Sequence, residues 1–288
     1  MLRAAHILVL AALATASLAG QTGGAPGKPP DTSAKAVTSL ASKYLEEYTT
    51  KLEAVVADET YFQETFASEG MRSGSRMMKG ELNLAYLPAD RSWIAVHDII
   101  EVDGQPVPDR QSLTTLLLRG NLSSVIGEVM EHNARFNIGR IRRTFNEPTI
   151  ALLVIDKNHL DNFSFKRELV VTEGNATLVK VSFAEHDRGT IVRSVTGSPI
   201  PSRGELLIDA GTGHVRGTHM MFKDGVITAD ITTTYMLEPK LQLWVPSVFA
   251  ERYEGQPEGL KEIVTGRAQY TNYRRWESFG RIKKDGSR

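Results

Sequence analysis

From about Asn162 onward the chain alternates apolar and polar residues in short runs separated by turn signals, which leaves few architectures open. Val179, Val181 and Phe183 share one face of an extended chain. Gly211-Thr212-Gly213 divides Glu205–Asp209 from His214–Phe222 as a hairpin would, and Asp224-Gly225 is a second hairpin signal. In the next run Ile227, Ala229, Ile231, Tyr235 and Leu237 face one way, with Thr228, Asp230, Thr232 and Thr234 opposite. The following runs send Leu241, Leu243, Val245, Phe249 and Tyr253, then Val264, Ala268 and Tyr270, to single faces. Strands joined by short turns are antiparallel, and one-sided alternation calls for an apolar cover on one face only.

The upstream half supplies candidates for that cover. Val37, Leu40, Tyr44, Tyr48 and Leu52, spaced 3, 4, 4 and 4, predict an amphipathic helix from Ala34 to about Glu53. Strands are expected over Thr60–Phe66, Leu82–Tyr86 and Trp93–Val102, with a polar turn at Gly70–Gly74 and another at Asp103-Gly104. Asp109 and Asn121 are candidate caps for two middle helices. Pro148 suits the first turn of a third helix, although Ile150–Ile155 is apolar throughout and reads equally as a buried strand. The fold class expected is α+β: a large antiparallel sheet with helices covering its apolar face. No shift of composition divides the chain, so residues 34–277 are read as one domain and 278–288 as a charged tail.

The first residues read as an export signal. Arg3 gives a positive start, Ile7–Ala16 is an apolar stretch too short to span a bilayer, and Ser17-Leu18-Ala19 is a small-x-small cleavage site. A signal peptide over residues 1–20, a Gly/Pro-rich linker over 21–33, and a periplasmic or secreted product cleaved near Ala19 are expected. Gln21 stands where a lipidated chain needs Cys.

The search for chemistry is governed by what is missing. The chain has no Cys, which removes thiol nucleophiles, disulfides and thiolate metal sites, and its 34 basic residues balance 34 acidic ones, which gives no footing for nucleic acid. The histidines after the signal are scattered, and His97-Asp98 and His186-Asp187 are read as surface or loop pairs rather than dyads. No G-x-S-x-G, H-E-x-x-H or P-loop occurs. No catalytic residue, metal site or cofactor is expected, and the chain is read as a non-enzymatic protein that does not span a membrane. Arg140, Arg142 and Arg143 form a basic cluster, read as a solvated face with an anionic headgroup or partner site as the sharper reading.

Two resemblances bear on function. His97-Asp-Ile-Ile-Glu-Val-Asp-Gly-Gln-Pro-Val107 resembles the strand–turn–strand before the second helix of a PDZ domain. It implies, as an alternative, an envelope peptide-binding or sensor module using segment 93–118. More of the chain is similar to the outer-membrane lipoprotein carrier (LolA-like) superfamily, in an exported bacterial branch. The order of elements carries that resemblance. So do Glu101–Arg110, Arg135-Phe-Asn-Ile-Gly139 and Tyr235-Met-Leu-Glu-Pro-Lys-Leu-Gln-Leu-Trp-Val-Pro246. It implies an α+β fold with a large curved antiparallel sheet, a half-barrel, whose apolar concave face encloses a cavity lidded by helices, and a lipid, lipoprotein or other apolar ligand as partner. The candidate lining is Leu82, Leu84, Tyr86, Ile231, Tyr235, Leu243 and Phe249, with a filled core as the competing reading of the same face. An exported hydrolase with a dispersed site is a further alternative, as is an envelope protein for a partner.

Overall fold

The computed structural model describes residues 29–52, 55–87, 92–108, 128, 131–132, 134–143, 147–186, 189–194 and 196–275. The expected signal peptide, the expected helices over Asp109–Leu118 and from Asn121, and the charged tail lie outside the described residues.

Helix α1 (Ala34–Leu52) begins where Ser33 Oγ accepts the Ala36 N–H at 3.3 Å, a cap that satisfies one of the free amides of the first turn. The strands are β1 (Val55–Ser68), β2 (Met71–Leu87), β3 (Ser92–Val102), β4 (Gln105–Pro106), β5 (Phe163–Glu173), β6 (Ala176–Glu185), β7 (Val192–Arg193), β8 (Pro199–Ile200), β9 (Ser202–Asp209), β10 (Val215–Asp224), β11 (Ile227–Glu238), β12 (Leu243–Gly255) and β13 (Glu262–Arg275). Eleven of them form one open antiparallel sheet in the order β4-β3-β2-β1-β13-β12-β11-β10-β9-β6-β5, and β7 pairs with β8 separately. This is the antiparallel α+β sheet expected from the alternation, in the half-barrel form that the resemblance implies.

Every hairpin signal in the second half forms a turn at its place. The polar stretch Gly70–Gly74 does not: the turn tightens to Glu69-Gly70, where Gly70 takes φ +79°, and β2 starts at Met71. Polar residues here mark strand ends that project past the core rather than a loop. β11 and β12 lose register between Thr234 and Tyr235, which lets Pro246 sit inside β12.

The inward residues of β1, β2, β6 and β9 to β13 form one core with the buried face of α1, namely Val37, Ala41, Leu45, Tyr48 and Leu52. α1 lies on the turn before β10. A methyl group on Gly213, which has φ +77°, would come within 2.6 Å of the Leu40 carbonyl oxygen, so glycine both makes the turn and admits the helix.

Candidate functional site

Register places the candidate lining on one side of the sheet. Leu82 and Leu84 on β2 oppose Ala57 and Val55 on β1, and Ile231, Tyr235, Leu243 and Phe249 come from neighbouring β11 and β12. The two groups are separated by β1 and β13, about 14 Å at the usual strand spacing. Leu82, Leu84, Ile231, Leu243 and Phe249 are at most 2 % exposed and Tyr235 is 5 % exposed. Tyr86 stands in register with Trp93, and its side chain lies outside the described residues.

Two segments cover this face. One is α1. The other is Ile150-Ala-Leu-Leu-Val-Ile155, which the sequence left open between helix and strand and which forms a 3₁₀ helix with all six side chains buried. It joins no strand. Its backbone bonds are local, such as Leu152 N–H to Thr149 O at 2.9 Å. Just upstream the Thr233 and Tyr235 hydroxyls donate to the Pro148 carbonyl at 2.9 and 3.0 Å.

The seam between the two covers and the sheet is an apolar cleft lined by Tyr44, Leu45, Tyr48, Leu152, Ile155, Val215, Tyr235 and Trp244. Its free volume of about 10 Å³ holds one water at most. At its rim Tyr44 meets the His214 ring edge-on at 4.6 Å, His214 lies 5.9 Å from the Trp244 ring, and the Arg216 guanidinium stacks 3.5 Å above Trp244. Burial pushes the Tyr44 hydroxyl up to about 12 and pulls His214 below its ordinary value, with Arg216 and Lys51 adding to the shift and Asp209 opposing it.

Toward β1 and β13 the same face turns polar. Arg143 and Glu251, both with fully buried side chains, pair at 2.8 Å. Tyr61 donates its hydroxyl to the same Glu251 oxygen and accepts from Arg143 Nη1 at 3.2 Å. Arg143 Nη2 donates to the Gln63 side-chain oxygen and to Ile138 O. Space for the network comes from Gly266, where a methyl group would lie 2.3 Å from the Tyr61 oxygen and 2.7 Å from Glu251 Oε1. Burial is the largest influence on Arg143 and opposes its charge, but Glu251, Tyr61 and Tyr253 together outweigh it and hold the guanidinium pKa above its ordinary value. Burial, then the Glu251 charge, drives the Tyr61 and Tyr253 hydroxyls well upward, so both stay neutral.

This network fastens the strap Arg135–Arg143 across the sheet. Gln63 Nε2 and Arg76 Nη1 donate to Phe136 O at 3.3 and 2.8 Å, and the Arg140 and Ile141 amides donate to Glu262 Oε2 at 2.7 and 2.9 Å. The basic cluster read from the sequence is therefore split: Arg143 is core, while Arg142 reaches Glu131 at the surface.

Of the two histidine pairs read as surface or loop pairs, His97-Asp98 differs from that reading. His97 and Asp98 are buried, and His97 Nδ1 meets Glu59 Oε2 at 2.7 Å. His186 Nε2 lies 2.9 Å from Ser164 Oγ at the surface, and Asp187 lies outside the described residues. Among the described residues no helix is long and apolar enough to cross a membrane.

No family model matches the sequence, and no curated protein does. Among solved structures the chain is similar to an outer membrane lipoprotein-sorting protein domain from Vibrio parahaemolyticus, at 8 % identity and a TM-score of 0.34, over 84 % of this chain and 95 % of that one. It is similar to a DUF1329 family protein from Desulfovibrio piger at 9 % identity and a TM-score of 0.37, over 87 % and 95 % of the two chains. A chain of the MucA/MucB complex of Pseudomonas aeruginosa is matched at 9 % identity and a TM-score of 0.18, over 83 % of this chain and 99 % of that one.

Proposed function

We propose that this is an exported, non-enzymatic envelope protein that holds the acyl chain of a lipid or lipoprotein, or a similar apolar group, against the concave face of its sheet. The observation that carries the reading is the Ile150–Ile155 segment: six consecutive apolar residues occupy the concave face without joining the sheet. A segment held by apolar contact and by two hydroxyls on one carbonyl occupies a place that an acyl chain could take at a similar gain, about 0.8 kcal/mol per buried CH₂. Ligand would come in at the Tyr44–Trp244 rim as α1 and this segment move off, and Ile231, Tyr235, Leu243 and Phe249 would then line it. Leu82 and Leu84 would serve the far end of a longer chain.

The export signal and the single domain over residues 34–277 belong to the same reading. Chain purified from the envelope should begin within a few residues of Gly20, and mass spectrometry of its organic extract should show a stoichiometric lipid. A product that keeps Met1, or an extract without apolar ligand, speaks against it.

A further inference from the structure

The two edges of the eleven-stranded sheet are unlike. One ends in the two-residue β4, where Pro106 has no amide to offer a further strand. The other is β5, eleven residues long, and among the described residues no strand but β6 pairs with it. Past its buried start at Phe163, β5 carries Leu169, Val170 and Val171 at 52, 41 and 44 % exposure, three consecutive apolar side chains on an open edge. Natural edges of this kind are usually blunted by charge or covered by another strand.

We propose that the cover is a second copy of this chain, its β5 pairing antiparallel with the first about a two-fold axis through Val170. Residues facing each other across an antiparallel pair share a face, and neighbours alternate, so a symmetric pair must set one residue opposite its own copy. Centring on Glu168 would oppose two carboxylates. Centring on Leu169 brings the charged Arg167-Glu168 pair against Val170, and centring on Val171 sets Leu169 against Glu173. Centring on Val170 sets Val170 against Val170 and Leu169 against Val171, apolar against apolar throughout the exposed run.

Charge agrees with the same register. β5 carries one extra residue between Arg167 and Leu169 relative to β6. Absorbing it in the same way on the open side brings Lys166 opposite Glu173 in both halves of the pair. Lys166 and Leu169 oppose Ser182 and Lys180 of β6, the residues that alternate with inward Val181 and Phe183, and the alternation puts Val171 and Glu173 on that outer side too. Lys166 now reaches Glu168 at 3.1 Å with most of its side chain in water, so it can re-pair at little cost. A contact of about six residues a side is well below a standard interface, which points to an association in the micromolar range or weaker.

Sedimentation of the mature chain over low to several-hundred-micromolar concentrations tests this. The wild type should shift reversibly from monomer to dimer. Val170→Lys and Val170→Glu each place like charges on the axis and should be monomers with wild-type circular dichroism, whereas an equimolar mixture of the two should dimerise. Lys166→Glu should weaken the dimer at least tenfold, and adding Glu173→Lys should restore it. A wild type that stays monomeric throughout overturns the proposal, as does a dimer that survives Val170→Lys or a charge swap that restores nothing.

Discussion

Arg143 and Glu251 share one short contact with both side chains fully buried, so the loss of one partner strands the other in the core. Arg143→Ala should cost about 3–5 kcal/mol in denaturant unfolding, and Glu251→Ala a similar amount, because each leaves an unpaired buried charge. The double variant Arg143→Ala, Glu251→Ala should lose clearly less than the sum, and additivity would show that the pair is not coupled. A fragment of this was legible beforehand. Phe249 and Tyr253 were read as inward on alternation, and the same parity puts Glu251 between them; an acidic residue at an inward position was the signal. Its partner could not be read. Arg143 lies 108 residues away in an aperiodic strap, and nothing in Arg140–Arg143 distinguishes the buried guanidinium from the exposed ones. His97 with Glu59 repeats the lesson, since a buried pair of this kind depends on register between strands and leaves no local spacing.

At the scale of elements, the seam between α1 and the sheet carries its own titration. His214 is held below its ordinary value, so the folded chain prefers it neutral. The stability this gives is complete above the unfolded value near 6.5 and is lost as pH falls through that value toward the folded one. Proton resonances of His214 should titrate below 6.5, and hydrogen exchange in α1, corrected for intrinsic rates, should quicken selectively as pH drops from 7 to about 5. Uniform exchange across α1 and the sheet over that range would contradict a role for His214 at the seam. The helix itself was plain from its 3, 4, 4, 4 spacing, and the strands from alternation joined by glycine-bearing turns. Ile150–Ile155 was not decidable, because a fully apolar run has no period, and it forms a 3₁₀ helix with all six side chains buried.

At the scale of the whole molecule, the proposed ligand site is the concave face closed by its own covers. Alternation showed which residues share that face, but it carries no depth, so a filled core and a lidded cavity look alike in sequence. In this structure the covers fill the face. The most direct measurement is titration of the mature chain with an environment-sensitive apolar dye or a fatty acid, run beside circular dichroism on the wild type and Phe249→Asp. Saturable uptake with a dissociation constant in the micromolar range or tighter, about −8 kcal/mol or more, is expected for the wild type. Folded Phe249→Asp should lose it, because a carboxylate would then stand where the chain lies. A well-folded wild type that takes up no apolar ligand at any accessible concentration would contradict the account.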